Sequence, residues 1–199
     1  MRTLAISTAS PALSLALFDG EDLVAHDHAI IGRGHAEALV PALAAMMGSS
    51  HAGRIIVDIG PGSFTGIRIG IAGARALGLA WNVPVTGCES GALVAAHAFT
   101  LRPDLLGVTI LLDAGRGQVL RQRITADYVA SAIETVAAET LRIVPGEAIA
   151  GPAIPADHLG DAIHDKHPDT AFTLRLPRNQ RHLAPAALYV RPPDAILPL

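Results

Sequence analysis

The sequence predicts an α/β fold arranged as two lobes, and two observations predict it. Short β-rich or alternating runs trade places with Ala- and Leu-rich stretches whose apolar residues recur at three and four. After "TLRPD" the same succession starts afresh, which puts a lobe boundary near residue 100, with one lobe over 1–100 and a smaller one over 101–199. A length of 199 residues and 50% hydrophobic content leave ample apolar material for cores of this size.

"RTLAIST" reads as a strand, and "ALSLALFDG" and "DLVAHDHAI" as a hairpin around the tight Asp-Gly turn of "FDGE". In "GRGHAEALVPALAAMMGSS" the period changes. Ala36, Leu39, Val40, Leu43, Met46 and Met47 predict a helix that Pro41 bends and that ends near Gly48. "RIIVDIG" predicts a strand, a glycine-rich turn follows, and a second helix runs from about Phe64 to Trp81. "VPVTG" is the next strand and "ESGALVAAHAF" the third helix. In the second lobe "LLGVTILLDAGRGQVLRQRIT" predicts two strands flanking a turn of Ala114 to Gly117. Beyond it "VAAETLRIV" predicts a short helix, "EAIAG" a strand, and the Pro-rich "LYVRPPDAILPL" an extended tail.

The formal charge of −3 offers no broad basic face for an RNA backbone, and 4% aromatic residues leave little for base stacking. The single cysteine, Cys88, excludes an internal disulfide and suits a reducing compartment, so the cytoplasm is the expected location. "MRTLAISTAS" passes into alternating apolar residues without the apolar core of a signal peptide, and no stretch reads as a membrane span. The expectation is a soluble, unexported protein.

"IGPGSFTGIRIGIAGARALGLA" holds six glycines, Gly60, Gly62, Gly66, Gly70, Gly73 and Gly78. A Walker A loop counted from Gly62 needs glycine at 67 and lysine at 68, where Ile67 and Arg68 stand. A dinucleotide fingerprint needs glycine at 65, where Thr65 stands. Gly60, Pro61 and Gly62 suit a turn with unusual backbone angles. Gly66, Gly70 and Gly73 share one helical face, each costing about 1 kcal/mol relative to alanine, so the bare face predicts close approach of another backbone. Both helices are also poor in charge, with Glu37 in the first and Arg68 and Arg75 in the second. Their outer faces therefore predict a protein–protein interface, with burial on all sides inside this chain as the other solution.

Other constellations are weaker. His26 and His28 share a strand face, and His164 and His167 stand one turn apart if helical; neither pair has an evident third ligand nearby, so no metal site is expected. Cys88, ahead of the third helix with His97 further on, reads as a small buried hydrophobe sooner than as a nucleophile with a base. Gly-x-Ser-x-Gly is absent at Ser63 and Ser90. Asp58 and Asp113 stand at strand ends, where a doubly wound sheet presents its ligands and where ordinary turn chemistry also places acids.

Taken together, "IGPGSFTGIRIGIAGARALGLA", "GVTILLDAGRGQVL" and "LYVRPPDA" make this sequence similar to the TsaB family, also called YeaZ, of bacterial tRNA threonylcarbamoyladenosine biosynthesis. The likeness runs from "LAIST" and "SLALFDG" through "GHAEALVPAL" and the glycine stretch, and thins after about residue 125 until the tail. The resemblance implies an actin-like, Hsp70-like and sugar-kinase-like (ASKHA) fold of two βββαβα-type lobes. It also implies a non-catalytic subunit that binds and activates TsaD, which carries the metal and transfers threonylcarbamoyl to an adenosine of tRNAs that read codons beginning with A. TsaE, an ATPase, joins that pair, tRNA is met only through the complex, and the protein alone forms a homodimer through the same faces. Carried onto this chain, the interface residues are His35, Leu39, Leu43, Met46, Gly66, Ile69, Gly70, Gly73 and Leu77. No cofactor is expected on this chain alone; ATP or ADP at the complex interface would lie nearest Ser7, Thr8, Gly60, Gly62 and Asp113. Two departures stand out: Ser7-Thr8 replaces the Asp-Thr that usually ends the family's first strand, and the C-terminal helix is shortened between "TLRLPRNQ" and "APAALYV".

Two further function classes stay open at this level. One is an ATP-dependent kinase or hydrolase of the same fold class using Asp113 and the loops around Ser7 and Gly60; the other is a dinucleotide-dependent oxidoreductase. For the scaffold reading, arginine at Gly70 is expected to abolish association with TsaD while leaving the fold intact.

Overall fold

The computed structural model describes residues 1–190, so the Pro-rich tail expected beyond that point lies outside the described residues. The first sheet is built from β1 (Arg2–Ser7), β2 (Ala12–Asp19), β3 (Asp22–Ile30), β4 (Arg54–Asp58) and β5 (Val85–Cys88), in the order β3-β2-β1-β4-β5. The β1/β2 and β2/β3 pairs are antiparallel, while β1/β4 and β4/β5 are parallel. Parallel neighbours need crossovers, which are supplied by α1 (His35–Met47) and α2 (Phe64–Trp81). After β5 comes α3 (Ser90–Leu101).

The chain then repeats this plan. β6 (Gly107–Gly115), β7 (Gln118–Thr125), β8 (Glu134–Ala137), β9 (Ile149–Ala150) and β10 (Ala162–His164) form a second sheet. Read from β8, its order is β8-β7-β6-β9-β10, with β6/β7 and β7/β8 antiparallel and β6/β9 and β9/β10 parallel. Each sheet therefore places its strands third, second, first, fourth and fifth in chain order, the α/β two-lobe plan the resemblance implies. The β6–β7 hairpin closes through Arg116 (φ 55°) and Gly117 (φ 69°), the positive-φ pair a two-residue turn of matching twist requires.

Period-two patterning explains the layers. On one face of the first sheet Leu4, Ile6, Leu13, Leu15, Leu17, Ile55 and Val57 pack with Leu39, Leu43 and Met47 of α1 and Ile67, Ile71 and Ala74 of α2. On the other face Ile56 meets Ala92, Leu93 and Ala96 of α3, and Ala5, Ala16 and Phe18 meet Leu174. The remaining side of α3, with Val94, Ala95 and Ala98, packs on Val108, Ile110, Leu120 and Ile124 of the second sheet. A helix shared by two sheets must be apolar all round, which is what "GALVAAHA" supplies.

Three local expectations need correction. "VAAETLRIV" is not a helix: Glu134–Ala137 pairs with β7 as an edge strand, and only Ala138–Thr140 turns as a 3-10 segment before Pro145 and Gly146. His164 and His167 do not share a helix, because His164 ends β10. The β6–β7 turn is also narrower than Ala114 to Gly117, since β6 runs on to Gly115. Pro41 is accommodated on the exposed side of an unbroken α1, where water can serve the carbonyl it leaves unpaired. Among the described residues no helix is long and apolar enough to cross a membrane.

Candidate functional site

The C-terminal ends of β1, β4 and β6 converge on a cleft of about 840 Å³ between the two sheets. Its rim combines Ser10, Arg33, Gly62, Ser63 and Thr65 from the first lobe with Asp113, Gly115 and His167 from the second. Of the five residues expected near nucleotide, Gly62 and Asp113 line this space, whereas Ser7, Thr8 and Gly60 are buried beneath it.

The buried three are engaged in internal bonds. Asp58, 1% exposed, accepts hydrogen bonds from Ser7 Oγ (2.7 Å), Ser90 Oγ (2.7 Å) and Gly60 N (2.9 Å). Burial pushes its carboxyl above the usual carboxylate range, and the three donors pull the other way without cancelling that rise. Thr8 Oγ1 donates to the Gly66 carbonyl at 2.7 Å. Gly60 holds φ 99°, a left-handed backbone angle that suits glycine and lets its amide turn onto Asp58.

At the rim Asp113 Oδ1 accepts from Gly115 N and Ser63 Oγ accepts from Gly66 N, so both polar side chains also serve their own turns. Among the described residues, the formally charged groups lining the cleft are Arg33, Glu37 and Asp113. One cation against two acids is a weak clamp for polyphosphate. Cys88 is buried, and that burial, with Asp58 and Glu89 nearby, raises its thiol well above the ordinary range; it is a packed hydrophobe, not a nucleophile.

The helix pair differs from expectation in which side is free. His35, Leu39, Leu43, Gly66 and Gly70 are buried within the chain, and Met46, Ile69, Gly73 and Leu77 are half-buried. A Cβ at Gly66 would collide with the Thr8 carbonyl oxygen, one at Gly70 would lie 2.5 Å from Thr8 Oγ1, and one at Gly73 2.9 Å from Leu39 Cδ2. The bare glycine edge is thus filled by the β1–β2 connection and by α1, and the buried members of the expected interface are covered by this chain itself. Arginine at Gly70 would test folding, not association.

The exposed surface of the pair lies beside those residues. On α1 it comprises Ala36, Val40 (69% exposed) and Ala44, one stripe at spacing four. On α2 it comprises Thr65, Ala72, Ala76, Leu79 (86% exposed) and Ala80. Arg68 and Arg75 bound it on one side. Arg68 stacks 3.7 Å over Phe64 and donates to Tyr189 Oη, and Arg75 donates to the Pro185 carbonyl, so both cations are turned toward the C-terminal segment. A stripe of small and apolar side chains remains, which hydrophobic periodicity alone could not separate from the buried face because both faces are apolar.

Histidines expected to be unrelated to any site also gather. His26 Nε2 lies 2.8 Å and His28 Nδ1 3.9 Å from Oδ1 of Asp169, which stands 143 residues from His26 in the chain. Asp169 caps the 3-10 segment Thr170–Arg175 through the Ala171 amide and is tied to β2 through Ser14 Oγ. No local pattern joins this acid to the two histidines.

A family model described as "TsaD: tRNA N6-adenosine threonylcarbamoyltransferase" matches residues 29–169. Two curated relatives carry the name tRNA threonylcarbamoyladenosine biosynthesis protein TsaB. The Escherichia coli protein is 34% identical over 126 residues, and the Bacillus subtilis protein 31% over 124 residues. Each match covers 60% of this chain and 53% of the relative, so the matched part spans about half the length of those proteins. YeaZ from Pseudomonas aeruginosa superposes with a TM-score of 0.77 at 20% identity, covering 95% of this chain and 99% of that one, a likeness of fold.

Proposed function

Since the chain belongs to the TsaB/YeaZ family, we propose that it acts in tRNA threonylcarbamoyladenosine biosynthesis as a non-catalytic subunit that docks a TsaD-type transferase through the exposed stripe of α1 and α2. The observation that carries this reading is the stripe itself: Val40, Ala44, Ala72, Ala76 and Leu79 are exposed small or apolar side chains that no element among the described residues covers. The stripe also meets the cleft, because Ala36 and Thr65 belong to both. A partner seated on the helices would overhang the cleft mouth and supply charge that Arg33 alone does not, which is how ATP or ADP would come to lie at the junction. Without that partner a second copy can cover the same surface, so homodimer and heterodimer exclude each other. TsaE and tRNA then engage the assembled pair, in keeping with a net charge of −3 on this chain.

The test is a double substitution, Val40→Glu with Ala72→Glu, at two exposed positions. Association with the TsaD-type partner should fall at least a hundredfold, an effect of about 3 kcal/mol, while the thermal midpoint stays within a degree or two. Unchanged association in a folded variant would refute the docking surface. The cleft with Asp113 at its rim supports a second reading, an ATP-dependent kinase or hydrolase. Tight binding and turnover of ATP with magnesium by the isolated chain would favour that reading over the first.

A further inference from the structure

The His26, His28 and Asp169 cluster adjoins the cleft, whose lining includes His167 and Pro168 just before Asp169, but none of its three residues lines the cleft or belongs to the helical stripe. His26 and His28 are alternate residues of β3, an edge strand paired on one side only, so both rings project from the same face, with centroids 6.1 Å apart and planes 29° from parallel. Asp169 arrives opposite them at the head of the segment Thr170–Arg175, held by the Ala171 amide and Ser14 Oγ. One ligand atom from each of the three residues falls within 4.8 Å of the other two. The bonds to Asp169 from His26, Ser14 and Ala171 all fall on Oδ1, and His28 Nδ1 is buried without any hydrogen-bond partner. A buried ring nitrogen with no donor or acceptor in reach, facing a carboxylate and a second imidazole, is an arrangement a cation would satisfy.

We propose that His26, His28 and Asp169 form a zinc site that clamps the chain after β10 onto the edge strand of the first sheet, with water completing the coordination. Two imidazole nitrogens and one carboxylate oxygen match zinc and its borderline neighbours and do not match magnesium or calcium. Bonds of about 2.0–2.1 Å in a tetrahedron place ligand atoms about 3.3 Å apart. The observed separations from Asp169 Oδ1, 2.8 and 3.9 Å, bracket that value, so small rotations of the two rings bring three ligand atoms to it. Ser14 Oγ and the Ala171 amide would act as outer partners that orient the carboxylate. Partial exposure of all three side chains, 31%, 20% and 15%, leaves an entry path and room for water ligands.

The protein stripped of metal by a chelator is titrated with Zn²⁺ by calorimetry and with Co²⁺ by visible absorption. One ion should bind per chain, with cobalt bands of a low-coordinate nitrogen and oxygen site. His26→Ala and His28→Ala should each weaken binding at least tenfold, and Asp169→Asn, which keeps an acceptor for the Ala171 amide, should weaken it similarly while remaining folded. His182→Ala, on a histidine outside the cluster, should leave binding unchanged. X-ray absorption of the zinc-loaded wild type should report two imidazoles. Absence of saturable one-to-one binding, binding that survives both histidine substitutions, loss of binding in His182→Ala, or an absorption spectrum lacking imidazole or containing sulfur would each overturn the site. The wild-type spectrum decides the matter even if a variant fails to fold.

Discussion

The two sheets share one strand order and one pattern of directions, yet they are finished differently. In the first, crossovers between parallel strands run through 13- and 18-residue helices. In the second, the same crossovers are made by irregular chain with 3-10 turns at Ala138–Thr140 and Ala156–Asp161, and β9 and β10 shrink to two and three residues. Its outer core is closed by Leu141 and Ile154 from those connections, packed on Leu111, Val119 and Ile149. A sheet order thus survives with little helix, because strand pairing and a few apolar plugs satisfy the backbone and the core. What is lost with the helices is a smooth outer face. Among the described residues, only the helical lobe presents long stripes of small side chains on regular supports, which is where the proposed docking surface lies.

The largest effect that separates the lobes should come from glycine. Gly66→Ala places a methyl against the Thr8 carbonyl oxygen, a backbone atom that cannot turn aside. It should cost about 3 kcal/mol despite alanine's better helix propensity, read by urea unfolding. Gly160→Ala, in the second lobe with open space around it, should change stability by less than about 0.5 kcal/mol. Equal losses at both sites would mean that the glycine edge of α2 is not the close-packed seam described.

A smaller effect belongs to the second lobe. Burial, and then the neighbouring His97, lower the His164 imidazole from 6.5 to about 4, against the opposing pull of the Val94 carbonyl. The unfolded chain takes up this proton first as pH falls. The contribution of the neutral ring is therefore complete above pH 6.5 and is lost as pH drops through that window toward 4. Stability should fall by about 3 kcal/mol across that range from His164 alone, and further through His28, His97 and His167, whose rings burial also holds down. His164→Leu should flatten part of that slope; a wild-type stability that is level or rises on acidification would contradict the buried neutral ring.

Elements with local causes could be read from the chain. α2 spans Phe64 to Trp81 as its period predicts, started by Ser63 capping Gly66 and stopped by Asn82 at φ 53°. The hairpins likewise follow from alternation and turn residues. What escaped has distant causes. That the glycine edge is occupied depends on Thr8 returning from the first strand, 58 residues away. That His26 meets an acid depends on Asp169 arriving from the far end of the chain. "VAAETLRIV" carries helix-forming alanines, but its first residues are claimed by pairing with β7, a tertiary gain that outweighs a weak local preference. The packing of the glycine edge within this chain has the same root: a helix stripped of side chains calls for close company, and periodicity does not say whose.

Hydroxyl-radical footprinting of the chain with and without the proposed TsaD-type partner reads the docking surface itself, because Val40 and Leu79 are among the most open apolar side chains on the two helices. Strong protection of Val40 and Leu79 is expected on complex formation, with Leu159 and Val144 in the second lobe unaffected. Protection confined to Val144 and Leu159, with Val40 and Leu79 still reactive, would contradict that docking surface.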